Sequence, residues 1–308
     1  MNKLVLIAGG STLVYVVLAI LMGVQPGIAL SRTPAGPGVQ PLTPIQAQGR
    51  EVYVANGCSY CHTQQVRPLD QDKIFGRPSA PGDFAYQTPA LLGSQRTGPD
   101  LTNIGARQPS EVWQYVHLYN PRALVPGSIM PAFDWLFEVV ATAPAGATVV
   151  PVPKAFAPER GVVIPTQKAQ ALVAYMASLQ QPTLPGAAML ASNEPASSAA
   201  AAGSTLFTTN CAPCHQANGE GVPGAFPPLK GNGAVNRDDV VPHIRIVLYG
   251  LKGAKVGGVD YASPMPGFAA SLSDSDIASI INYERSSWGN HGKPVTVDQV
   301  AAERAKPP

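Results

Sequence analysis

Cys58-Ser59-Tyr60-Cys61-His62 and Cys211-Ala212-Pro213-Cys214-His215 are the stretches that decide how this chain folds, and between them they use every cysteine in its 308 residues. Each is C-x-x-C-H, the spacing of covalent c-type haem attachment. Two thiols on one helical turn bond the two vinyl groups, and the adjacent histidine reaches the iron from one face. A four-cysteine zinc site would have to bring the pairs together across 149 intervening residues. A redox-active C-x-x-C needs no histidine, and neither alternative explains a histidine twice in register. Two covalently bound haem c groups are predicted, one on Cys58 and Cys61 and one on Cys211 and Cys214.

The histidines predict His62 and His215 as iron ligands, and methionine on the other face raises the reduction potential. Of six methionines, Met1 and Met22 lie at or in the apolar N-terminus, Met176 sits on a helical core face and Met189 lies in a Pro/Ala/Ser stretch. Met130 (Ser128-Ile129-Met130-Pro131) and Met265 (Ser263-Pro264-Met265-Pro266) remain. Proline beside each removes a backbone donor and stiffens the loop that presents the sulfur. A ligating histidine donates its other ring nitrogen to a carbonyl. Candidates are Pro99 in Gly98-Pro99-Asp100-Leu101 and Pro227 in Phe226-Pro227-Pro228-Leu229, with a simple turn as the alternative reading of each. His117, beside Trp113, either bonds a propionate or is a packed or surface histidine. His243 has no identifiable partner, and His291 lies in the tail. No Ser/His/Asp arrangement, paired-carboxylate signature or phosphate loop is present, so no catalytic residue is assigned.

Working outward, Leu4 to Val24 are 21 uncharged, mostly apolar residues, which as a helix at about 1.5 Å each span a hydrocarbon core of about 30 Å. The competing reading is a cleavable signal peptide, whose apolar region is shorter, about 7–15 residues. Lys3 and Arg32 flank the span and nearly cancel under the positive-inside rule. Orientation follows from the haem sites, because thioether attachment occurs on the outer face of the bacterial membrane. The expectation is a single-pass protein of the bacterial inner membrane with both haem domains in the periplasm.

Residues 1–24 then form the N-terminus and anchor, 25–42 a Pro/Gly stalk, 43–180 a first haem domain, 181–203 a Pro/Ala/Ser linker, 204–290 a second haem domain and 291–308 a tail. The linker reaches roughly 25 Å as a random coil, which predicts a mobile second domain. Thr43-Pro44-Ile45-Gln46 opens the first helix of domain 1, with Tyr53 as its haem-side aromatic. A helix from Ser110 stops at Asn120-Pro121, and a last one runs from Thr166 to about Gln180. Domain 2 repeats the plan with Phe207 before its cysteines, a helix from about Asp239 to Tyr249, and a last helix capped by Ser273 and Asp276. No alternating strand pattern of useful length competes. The predicted fold is mainly α: one N-terminal transmembrane helix followed by two cytochrome c-like haem domains.

Only 13% of the residues are charged, about half the usual share, and the formal net charge is +2. No basic stripe exists, which excludes nucleic acid as a partner.

Through GREVYVANGCSYCHTQQVRP (49–68), GSQRTGPDLTNIGAR (93–107) and HLYNPRALVPGSIMPAFDWL (117–136), the first segment resembles the membrane-anchored mono-haem subunit II of cbb3-type cytochrome c oxidases. The resemblance implies His62 and Met130 as axial ligands and docking against a polytopic haem–copper catalytic subunit. NCAPCHQANGEGVPGAFPPLKGN (210–232) and SPMPGF (263–268) are similar to class I cytochrome c domains attached to oxidases and dehydrogenase cytochrome subunits. Subunit II ordinarily carries one haem, so the fusion implies a variant oxidase.

Spacing adds to this. From haem histidine to proline candidate is 37 residues in the first segment and 12 in the second; from methionine to last-helix tyrosine it is 45 against 18. The extra 25 and 27 residues read as insertions that cover a permanent partner. The expected function is electron transfer from a soluble cytochrome c or cupredoxin to a terminal oxidase, with no catalytic centre on this chain. The rivals are the input subunit of a nitric oxide reductase, the cytochrome subunit of a periplasmic dehydrogenase, and a di-haem peroxidase. Two methionine-ligated haems and an anchor count against the last, which needs an open iron position.

Overall fold

The computed structural model describes residues 3–182, 199–261, 263–269 and 271–307. Helix α1 (Lys3–Ala19) passes through a π-helical turn at Ile20–Val24 into α2 (Gln25–Ser31). Together they make a 29-residue rod, long and apolar enough to cross a membrane, none of it buried in the protein. The stalk read from Gln25 onward is therefore helical for its first seven residues. Pro26 lies just past the π-helical turn, where the regular i→i−4 ladder is already interrupted. Beyond the rod, the Gly36 amide donates to the Gly82 carbonyl at 3.0 Å. Of the linker 181–203, residues 183–198 lie outside the described residues.

Among the described residues the chain forms two compact units, one of 3–43, 57–102 and 181–182, the other of 44–56, 103–180 and 199–307. In the first unit, the Cys58–Tyr60 turn is followed by two further 3-10 turns, Asp70–Phe75 and Pro81–Phe84. Ion pairs hold this insertion. Fully buried Asp72 accepts from Arg67 Nε at 2.9 Å and Arg96 Nη2 at 2.8 Å. Hydrogen bonds from Arg67 and then Arg96 hold its carboxyl well below the usual carboxylate range. Arg96 also donates to Thr63 Oγ1 at 2.7 Å, and Asp100 accepts from Thr63 Oγ1 at 2.6 Å and from the Gln65 amide at 2.9 Å. Charge thus replaces an apolar core in a segment rich in proline and poor in helix.

In the second unit, α3 (Pro44–Ala55) crosses α6 (Gln167–Ser178) at Gly49, where a Cβ would stand 1.9 Å from the Ala171 carbonyl oxygen. The same device recurs where α7 (Ala199–Asn210) crosses α11 (Asp274–Ser286): a Cβ on Gly203 would lie 2.3 Å from the Ser279 oxygen. An aromatic pair flanks each crossing. Tyr53 meets Tyr175 edge-on at 5.6 Å and Phe207 meets Tyr283 at 5.2 Å. The internal duplication read from the landmarks is thus a duplicated helix crossing.

Between the first crossing pair lie α4 (Ile104–Arg107) and α5 (Glu111–Tyr119), the latter capped by Ser110 Oγ on the Trp113 amide. Between the second lie α8 (Ala212–His215), α9 (Gly233–Asn236) and α10 (Val241–Tyr249). The Ser273 cap forms as read, and Thr166 Oγ1 caps α6 by accepting from the Ala169 amide. Two small hairpins do not follow from the sequence pattern. Strand β1 (Phe137–Val140) pairs antiparallel with β2 (Val162–Pro165), and β3 (Ala254–Val256) with β4 (Val259–Tyr261). Runs of three or four residues are too short to show alternation. The tail 291–308 carries α12 (Val297–Arg304), and Val295 and Val300 join Ile244, Leu248, Ile277 and Ile281 in one buried cluster. It packs as the closing element of the second haem segment.

Candidate haem sites

In the second segment one turn carries both sulfurs and the imidazole: the Cys214 and His215 amides donate to the Cys211 carbonyl at 3.1 and 2.9 Å. Cys211, Cys214, His215, Pro227, Met265 and Phe268 line one cavity. His215 Nδ1 donates to the Pro227 carbonyl at 2.8 Å, which leaves Nε2 as the ring's lone-pair atom. Burial lowers the His215 pKa, so the imidazole is neutral, the form a metal takes. Met265 exchanges backbone hydrogen bonds with Leu251 at 2.8 and 3.1 Å, which pins the loop that carries the thioether.

None of the four cysteines is paired in a disulfide. Burial pushes Cys214 up to about 12, Cys58 to about 11, and Cys211 well above its ordinary value. Neutral thiols in an apolar cavity are poor zinc ligands and poor redox nucleophiles. Among the described residues no three His, Cys, Asp or Glu side chains stand together to hold a metal ion. An apolar cavity offering two thiols, a neutral imidazole and a thioether fits a haem c.

In the first segment, Cys58 and His62 are joined by the His62 amide donating to the Cys58 carbonyl at 3.0 Å, and His62 Nδ1 donates to the Pro99 carbonyl at 2.8 Å. Burial again lowers the imidazole pKa. The acceptor geometry of the two histidines is the same despite a spacing of 37 residues in one case and 12 in the other. Met130 belongs to the other compact unit; it is half-buried, and its amide donates to Ser128 Oγ at 3.3 Å.

His243 has a partner that the sequence did not reveal. Its Nε2 lies 2.9 Å from Glu284 Oε2, both residues buried. The two are 41 positions apart, and no local pattern joins them. His117 stacks on Trp113 with centroids 4.4 Å apart and planes at 13°. Gln108 lines the second cavity and was not singled out at all.

Residues 2–156, half of the chain, match the family of cytochrome c oxidase mono-heme subunits called FixO. The chain belongs to the FixO family. Residues 200–288 of this FixO-family chain match the cytochrome c family. Haem c binding goes with both. Cytochrome c-552 of Thermus thermophilus is 41% identical over 105 residues, 31% of this chain and 79% of that protein. The cytochrome c subunit of the quinone alcohol dehydrogenase of Gluconobacter oxydans is 40% identical over 96 residues, 31% of this chain and 20% of that one. The fructose dehydrogenase cytochrome subunit of Gluconobacter japonicus is 28% identical over 265 residues, 80% of this chain and 49% of its own length. This FixO-family chain is a cytochrome c electron-transfer subunit.

Proposed function

We propose that the chain passes electrons from a soluble cytochrome c or cupredoxin to the polytopic catalytic subunit of a cbb3-like haem–copper oxidase, which reduces oxygen to water. The FixO match over the anchored half carries this reading. Cys58 and Cys61 hold one haem c between His62 and Met130, and Cys211 and Cys214 hold the other between His215 and Met265. The Pro99 and Pro227 carbonyls fix the two imidazoles by accepting hydrogen bonds from their Nδ1–H groups. Each haem, when bound, would supply reversible one-electron chemistry, and no bond to substrate is made or broken on this chain. Both insertions expose large apolar side chains, Ile74 and Tyr86 in the first and Trp135 and Val139 in the second. Such side chains on a weakly charged surface support a permanent partner.

The chain purified from native membranes in mild detergent should bring with it a polytopic haem–copper subunit, and the complex should consume oxygen with a reduced soluble cytochrome as donor. Nitric oxide consumption in its place would reassign the acceptor. A sugar or alcohol dehydrogenase subunit as the co-purifying partner would overturn the oxidase reading in favour of the second one, which the match to the fructose dehydrogenase cytochrome subunit supports.

The apolar span from Leu4 to Val24, within the rod Lys3–Ser31, is assigned to the bacterial inner membrane with residues 25–308 outside. Protease added to intact spheroplasts should then remove both haem-stained segments. Protection of either one would sink the single-anchor topology.

A further inference from the structure

We propose that the second haem crevice is closed by residues 103–124 of the same chain, Gln108 completing its wall and Trp113 clamping its cysteine loop. The proposal rests on the reading that this crevice holds a haem c. Trp113 Nε1 donates to the Pro213 carbonyl at 2.8 Å, and Pro213 is the residue before Cys214 in C-A-P-C-H. The corresponding residue of the first motif, Tyr60, is 79% exposed. Trp113 itself is 8% exposed, and its stack on His117 holds the indole plane.

Gln108, 6% exposed, lies among the cavity-lining side chains, with Oε1 4.0 Å from Cys214 Sγ and its Nε2 without a partner inside the protein. A buried amide with nothing to bond costs free energy, so this nitrogen is aimed at something that fills the cavity. Gln216 Nε2 donates to the Leu124 carbonyl at 3.3 Å and makes a third fastening between 103–124 and 211–216. Thioether bonding would fix one haem edge over Cys214, and whatever lies against Cys214 lies against that edge. Here it is the chain's own Gln108, where a swinging domain would leave solvent.

The test uses the full-length holoprotein with neither donor nor oxidase, so it stands whichever partner is found. After cleavage at a protease site introduced near residue 190, the two pieces should co-elute at micromolar concentration. Trp113→Ala should speed hydrogen exchange of the amides of 212 and 214–216 about tenfold, the loss of roughly one hydrogen bond. Trp113→Phe, which keeps the stack but not the N–H, should fall between, and Gln108→Ala should shift the second haem's spectrum alone. Separation of the cut pieces, or unchanged exchange of these amides in Trp113→Ala, overturns the proposal. Wild-type protein one haem short by mass overturns the underlying reading instead.

Discussion

Met265→His is expected to lower the potential of the second haem by on the order of 0.3 V, a fraction of the about 0.8 V that axial ligation spans, while the iron stays six-coordinate. Thioether is the weaker donor and favours the reduced iron; imidazole favours the oxidised one. The substitution is tolerated sterically because the loop is held by its backbone, by Pro264 and Pro266 and by the paired bonds to Leu251, and not by the Met265 side chain. In Met265→Ala the ferric methionine–iron band near the red end of the spectrum should drop to one haem's intensity, the remainder coming from Met130. A band at full two-haem intensity in Met265→Ala would remove Met265 from the iron. A redox titration that resolves two couples in wild type and one displaced couple in Met265→His would settle the assignment.

Gly49→Ala should cost the protein about 3 kcal/mol, the upper end of what overpacking costs. The added Cβ would meet the Ala171 oxygen at 1.9 Å and the Tyr175 Cβ at 2.7 Å. A backbone oxygen in mid-helix cannot swing aside as a side-chain tip can, so α3 and α6 must separate along their whole contact. Set against a total stability of about 5–15 kcal/mol, this is a drop of several degrees in Tm by calorimetry. Gly203→Ala should do the same to the other crossing, more mildly because its nearest contact is 2.3 Å. An unchanged Tm in Gly49→Ala would mean that the helices do not cross so closely.

Local chemistry made much of this legible in the sequence. C-x-x-C-H is set by the porphyrin, and N-caps at Ser110, Thr166 and Ser273 act within three residues, so both leave short signatures. Pro99 and Pro227 were found because each interrupts a loop just before a leucine. What escaped is held by partners far apart along the chain. Gly49 and Gly203 matter only because another helix passes over them. Asp72 reads as a surface acid in a loop until Arg67 and Arg96 close on it. His243 reads as isolated until α11 brings Glu284 across from 41 positions away. Gln108 and Trp113 sit in a segment whose neighbour, Pro213, is 100 residues on from Trp113.

The helical start of the stalk fixes an altitude. With residues up to Val24 in the hydrocarbon, as proposed, α2 would lift the chain by about 10 Å, and only four residues separate Ser31 from Gly36, whose amide is already bonded to Gly82. The five Cα-to-Cα steps from Ser31 to Gly36 reach at most about 18 Å. On the proposed topology, residues Cys58, Cys61 and His62 would be moored within about 30 Å of the membrane surface, and the proposed partner in the same bilayer would meet them at one level. Their encounter would then become a search in two dimensions, with height bounded before contact.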